Sequence, residues 1–458
     1  MDAINAMSVL ERATPARKGG TIMWAYDSVF YQIYTLGFCG CPDKNEGVPG
    51  HRLQKVADWI PHIRRIHADA VYFTPVFDSD AHGYDTRDYT RIDGRLGTNG
   101  EFAALCRTLH ESGIRVVLDG VFNHVGRGFW AFQDLLKNRE ASPYRDWFFV
   151  RFDGNNGYDD GLWYEGWEGH DELVKLNLRN EEVAGHLLGC VEGWIREFGI
   201  DGLRLDVAYS LEPDFIRRLR RLCDALKPDF FLVGEMLHGD YRRLVCDGML
   251  HSATNYECYK GLHSSLNSDN LFEIGHSLQR QFGPEPWTVY KGLHLFNFAD
   301  NHDVTRAASI LRNPAQLPLL YALLFAMPGI PCVYYGSEWG AEGVKSESDA
   351  PLRPCFPEPA ENGLTRFIAS LAAARRESPA LRHGDFRILL MTNRQLIFER
   401  RLEGERVLAA FNAEAVPYTA HFDAGAGRAD ELLTGRPHDF GGGSELAPYS
   451  ASYWRIGG

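Results

Sequence analysis

Arg204 and Asp206 stand two positions apart in the run Gly202-Leu203-Arg204-Leu205-Asp206-Val207, an apolar segment that ends in charge. On a β-strand, residues i and i+2 face the same side, so guanidinium and carboxylate would share one wall. Core strands avoid both residue types, yet taken alone the pair reads equally well as a structural ion pair. Three further apolar runs end in the same manner. Gly113 to His124 delivers Asp119, Asn123 and His124; Asp229 to Glu235 delivers Glu235; Leu293 to Arg306 delivers His302 and Asp303. A carboxylate beside a cation is favoured in its charged form and suits a nucleophile, which is the reading for Asp206. A carboxyl ending a very apolar strand is pushed toward its protonated form and suits a general acid, the reading for Glu235.

Such residues need elements that bring strand ends together. Apolar strand candidates recur near Val29–Tyr34, Ala70–Pro75, Ile114–Val121, Gly202–Val207, Phe230–Glu235, Thr254–Tyr256, Leu293–Phe298 and Pro331–Tyr335, with helical stretches between them. Eight strands alternating with helices predict an α/β fold, a (β/α)8 barrel, whose strand C-termini converge on the face that carries active sites. The interval between the third and fourth strands is far longer than the others, and long loops in compact domains are usually functional. After about residue 378 the pattern changes to short strand-like runs, Arg387–Leu390, Gln395–Arg400, Val407–Asn412 and Ser450–Ile456, joined by charged and Gly-rich turns. These predict a small all-β domain.

The motifs now resemble the α-amylase family of retaining glycoside hydrolases. Asp119-Gly-Val-Phe-Asn-His124, Gly202-Leu-Arg-Leu-Asp206, Val233-Gly-Glu235 and Asn301-His-Asp303 are similar to its four signature regions, in order and spacing. His82-Gly-Tyr-Asp85 and Gly329-Ile-Pro-Cys-Val-Tyr-Tyr-Gly-Ser-Glu338 resemble two flanking stretches, so the likeness spans roughly residues 25 to 375. It implies a tail over 1–22, a barrel over 23–124 and 176–377, an inserted domain B over 125–175 and a C-terminal β-sandwich over 378–458. It implies cleavage of a glycosidic bond with retention, through two carboxyls about 5–5.5 Å apart. Asp206 corresponds to the nucleophile, Glu235 to the acid and Asp303 to a third carboxylate that binds sugar hydroxyls. His124 and His302 correspond to imidazole donors to the same sugar, Tyr84 to its stacking platform and His82 to a hydroxyl partner. Arg353 corresponds to an arginine contacting Asp303 or substrate, and Asp119 to a structural partner of Arg204.

Leu173-Val-Lys-Leu-Asn177 resembles the neopullulanase, cyclomaltodextrinase and maltogenic amylase branch, which implies maltooligosaccharide or cyclodextrin substrates joined by α-1,4 and also α-1,6 bonds. Leu237 replaces that branch's tryptophan after the acid, Asn301 stands where it has serine, and its N-terminal β-domain has no counterpart before residue 25. Oligomeric state stays open. The resemblance also implies a structural calcium with Asn123 as one ligand. Ala208-Tyr209-Ser210 lacks the histidine that would share that ion, so no metal is assigned, and no redox or organic cofactor is implied. Two other readings remain: a transglycosylase or isomerase on the same scaffold, and a non-catalytic amylase-like binding subunit, which would have lost carboxylates that this chain retains.

Composition limits the partners. A net charge of −13 argues against nucleic acid and anionic membranes. No apolar stretch long enough to span a bilayer occurs, and Met1 to Gly20 contains no secretory apolar run. Nine cysteines, an odd number scattered through apolar segments, predict reduced thiols in a cytoplasmic protein. Cys39-Gly-Cys41 lacks the second pair that a zinc site would require.

Overall fold

The computed structural model describes residues 22–457, so the expected N-terminal tail lies, Ile22 apart, outside the described residues. Eight parallel strands form one sheet: β1 (Phe30–Ile33), β2 (Ala70–Phe73), β3 (Arg115–Gly120), β4 (Gly202–Leu205), β5 (Phe231–Gly234), β6 (Ser252–Ala253), β7 (Phe296–Phe298) and β8 (Ile330–Tyr334). Their order is β6-β5-β4-β3-β2-β1-β8-β7. A lone parallel bridge between Thr254 and Phe296 joins the two ends, closing the barrel.

Alternation sorts the side chains. Phe30, Tyr72, Val117, Phe231, Val233, Phe296, Phe298, Ile330 and Cys332 form one inward apolar cluster. Tyr31, Val71, Val116, Leu203, Leu232 and Val333 join the larger cluster shared with the surrounding helices. Each buried phenylalanine contributes about 1.5–3 kcal/mol. Arg204 has inward parity and lies in register with Asp119 on β3 and Val233 on β5. The apolar plug thus gives way to charge toward the strand C-termini.

The sixth strand falls two residues earlier than Thr254–Tyr256. Asn255 caps the helix Tyr256–Asn267 by accepting the Cys258 N–H at 3.2 Å, so the chain leaves the sheet there. The other barrel strands lie within the runs read from the sequence, or within one residue of them.

The long β3–β4 connection contains the helix Trp130–Asn138 and a three-stranded sheet. His124–Gly126 pairs antiparallel with His170–Lys175, tying the start of the insertion to its end beside the barrel mouth. At the other extremity, Asp385–Met391, Gln395–Leu402, Glu405–Asn412, Ser450–Gly457, Arg428–Glu431 and Pro437–Asp439 make a six-stranded antiparallel sheet, in that order. Tyr418–Ala420 and Ser444–Leu446 pair separately. Arg400 fastens this domain to the barrel, donating to the carbonyl of Ala326, the last residue of a barrel helix, at 2.8 Å, and to that of Leu381, beyond the barrel, at 2.9 Å.

Candidate active site

One guanidinium organises the barrel mouth. Arg204 Nη1 donates to Asp206 Oδ1 at 2.8 Å and to both Asp119 oxygens at 2.9 Å, while its Nη2 lies 2.8 Å from Glu235 Oε1. Asp119 also accepts from Tyr72 Oη at 2.7 Å and Tyr84 Oη at 3.0 Å, which makes it the structural anchor of Arg204. The second Glu235 oxygen accepts the Val207 N–H at 2.9 Å. Val207 achieves this with φ 38° and ψ 48°, a left-handed conformation that costs a β-branched residue on the order of 1–3 kcal/mol.

The electrostatics differ from the sequence expectation in one respect. Burial raises Asp206 well above its usual value, and Arg204 only partly counters this because it is shared with Glu235 and Asp119. Burial raises Glu235 as well, with Arg204 opposing and Asp303 adding to the rise. A single cation thus faces three carboxyls in a low-dielectric site, and the cluster holds a proton that isolated carboxyls would have lost. Asp303 is the opposite case. Burial pushes it up, but His302 and Arg353 bring it below the usual carboxyl range. Burial lowers His302 to about 3, so it is neutral near pH 7 and Arg353 is the cation that acts there.

Arg353 binds Asp303 Oδ1 at 3.1 Å and Asp349 at 2.9 Å, donates to the His302 carbonyl and lies over the Tyr34 ring. His302 takes a hydrogen bond from Gln32 on Nδ1 at 2.8 Å, which leaves Nε2–H to face Tyr84 and Asp303 Oδ2, the latter at 3.0 Å. The Tyr84 and His302 rings are nearly parallel, with centroids 5.5 Å apart. Burial lowers His124 to about 3 as well. Its Nδ1 faces the Asn123 amide at 3.2 Å, so Nε2 carries the hydrogen. That nitrogen is buried without a partner, 3.8 Å from Asp206 Oδ2, and is available to a ligand hydroxyl.

A cleft of about 540 Å³ takes in His82, Tyr84, His124, Asp206, Glu235, Asp303 and Arg353, while Arg204 and His302 stand behind its floor. His82 is half-exposed at the rim, 3.7 Å from Asp85. Trp167 and Leu173 from the insertion and Leu237, two residues after Glu235, also line the cleft. Tyr256 is a residue that sequence reasoning missed: its hydroxyl lies 3.5 Å from Glu235 Oε1 and accepts from Asn301 at 3.1 Å. Its only signal was an aromatic side chain opening a helix just after a barrel strand. The Asn123 amide nitrogen faces His124, and among the described residues no three His, Cys, Asp or Glu side chains form a group able to hold a metal.

The chain is 32% identical over 449 residues to a cyclomaltodextrinase of Geobacillus thermopakistaniensis, covering 90% of this chain and 73% of that one. It is 31% identical to an intracellular maltogenic amylase of Bacillus subtilis, covering 85% and 69%. The cyclic α-maltosyl-(1→6)-maltose hydrolase of Arthrobacter globiformis superposes with a TM-score of 0.81 at 28% identity, over 95% of this chain and 99% of that one. The α-amylase catalytic-domain profile matches residues 32–378, from the first barrel strand to the end of the last barrel helix, and the chain therefore belongs to the α-amylase family.

Proposed function

We propose that this protein is a retaining α-glucan hydrolase that cleaves α-1,4 and α-1,6 glucosidic bonds of small, soluble maltooligosaccharides or cyclodextrins. The observation that carries the reading is the pairing of Asp206 and Glu235 on one buried guanidinium, with Asp303 across the same cleft. Asp206 attacks the anomeric carbon while Glu235 gives its proton to the leaving oxygen, forming a glycosyl-aspartate. Glu235 then takes a proton from water, which displaces Asp206 and frees the sugar in its original α-configuration. Asp303 repels a negative charge on Glu235 and so adds to the upward shift that burial gives this carboxyl. The unpartnered His124 Nε2–H and the Asp303 carboxylate are positioned for hydroxyls of the sugar under attack, where such bonds strengthen as charge develops. Tyr84 offers its face to that ring, and His82 and Arg353 flank it. The reaction as written needs neither metal nor organic cofactor.

The linkage preference is supported by the relatives' names, which span cyclomaltodextrinase, neopullulanase and a hydrolase of a (1→6)-linked maltose ring. An intracellular location fits the Bacillus subtilis relative's name, and no described helix is long and apolar enough to cross a membrane.

Maltotriose, panose, β-cyclodextrin and granular starch should be compared. Proton NMR in the first minutes should show the α-anomer, and an initial β-anomer would overturn double displacement. Asp206→Asn should abolish turnover with the fold intact. Glu235→Gln should lower kcat by about 10²–10⁴-fold, less on substrates with activated leaving groups. Equal efficiency per accessible bond on granular starch and maltohexaose would defeat the small-substrate reading.

A further inference from the structure

The fold brings a third cysteine to the Cys39-Gly40-Cys41 turn. Cys355 lies directly over Gly40: a Cβ placed there would stand 2.9 Å from Cys355 Sγ. Gly40 also has φ +65°, so both the thiol and the backbone call for glycine. Lys55, on the helix Gln54–Arg65, donates from Nζ to Cys355 Sγ at 3.0 Å. A second bond from the same nitrogen to the Phe38 carbonyl at 2.7 Å fixes the ammonium in place. Cys355 is exposed, Cys41 half-buried and Cys39 buried. Burial pushes Cys41 up to about 11 and Cys39 further, so both stay protonated. These sulfurs do not converge on a metal site, since no metal-holding group occurs among the described residues.

The surroundings connect this thiol to the active cleft. A groove of about 480 Å³ is lined by Gly40, Cys41 and Cys355, and also by His82, Asp349 and Arg353, which line the cleft itself. The Arg353 carbonyl packs so closely on Gly37 that a Cβ there would approach it to 2.2 Å. The 353–355 segment is therefore packed directly against the 37–41 turn, and Arg353 is a residue that binds Asp303.

We propose that Cys355 is a thiol-modification site for small-molecule disulfides, and that an adduct in this groove displaces Arg353 from Asp303. The Cys355 thiolate attacks one sulfur of R–S–S–R. The reagent's S–S bond breaks, a Cys355–S–S–R bond forms, and RS⁻ leaves and takes a proton from solvent. The Lys55 ammonium stands 3.0 Å from the attacking sulfur. One disulfide is exchanged for another, so no further oxidant is consumed. The effect on catalysis rests on the hydrolase reading, whereas the reactivity of the thiol does not.

The full chain should be incubated with glutathione disulfide, followed by peptide mass spectrometry and maltotriose hydrolysis. Cys355 should react about tenfold faster than Cys246, the other exposed cysteine, and Lys55→Met should remove most of that advantage. kcat/KM should fall several-fold with modification and return with dithiothreitol. Cys355→Ser should keep basal activity and lose the sensitivity. Equal labelling of Cys246 and Cys355 would overturn the site, and complete Cys355 modification with unchanged kcat/KM would overturn its link to Asp303. If the unmodified protein hydrolyses nothing, the functional reading fails and the labelling rates still decide the site.

Discussion

Glu235 is a carboxyl whose charge the folded protein disfavours. Burial raises it first, and Asp303 adds to the rise against the pull of Arg204. The native state therefore binds a proton that the unfolded chain has released, and stability declines as pH climbs from the ordinary carboxyl value through the raised one. Once pH has passed the raised value that loss is complete, and the neutral amide of Glu235→Gln removes it. The variant should therefore gain in melting temperature over wild type as pH rises, on the order of 2 °C at the alkaline end by calorimetry, with the gap closing below pH 4, where both side chains are neutral. A lower melting temperature at alkaline pH would show that Arg204 gains more from the charge than burial takes away. At this scale the sequence exposed Asp206, Glu235 and Asp303, because charge at the end of an apolar run has few structural excuses. It concealed Tyr72, Gln32 and Tyr256. An aromatic or amide within an apolar stretch looks like packing until barrel closure sets it against a residue from a distant strand. The three-way sharing of Arg204 was hidden for the same reason, and with it the upward shift of Asp206.

Between β4 and β5 the barrel leaves no room for a side chain at Gly202. A Cβ there would come within 2.6 Å of the Phe231 carbonyl oxygen and 3.0 Å of the Phe231 Cβ. Gly202→Ala should cost about 1–3 kcal/mol of stability by forcing the two strands apart. Because Arg204 sits two residues on, kcat should fall with the melting temperature. A variant with wild-type melting and turnover would show that β4 can shift without disturbing its charged end. The strands themselves were readable from apolar alternation and the turn residues between them. The sixth was misplaced because Thr254 and Tyr256 are good strand formers, and only the Asn255 cap reveals that the helix begins there.

Over the whole molecule, the alternation of strands and helices followed by short β runs was enough to read a barrel and an appended β domain. How the two are fastened was not readable, since Arg400 sits in the ordinary-looking Glu399-Arg400-Arg401 and finds its carbonyls only in the folded chain. Because Ala208-Tyr209-Ser210 lacks the histidine that would share a calcium with Asn123, EDTA should leave both melting temperature and activity unchanged. A fall reversed by added calcium would locate an ion shell that these donors do not suggest. One feature of the barrel reaches further. Every neighbouring pair of strands is zipped by a ladder except β6 and β7, which meet at the lone Thr254–Phe296 bridge. The Asn255 amide, bonded to the Phe296 carbonyl at 2.8 Å, is the rung most exposed to transient opening. In hydrogen exchange it should trade deuterium faster than the amides of β2 and β3. Tyr256, the next residue, lies 3.5 Å from Glu235, so the hoop's weakest link is one residue from a contact of the carboxyl proposed as proton donor.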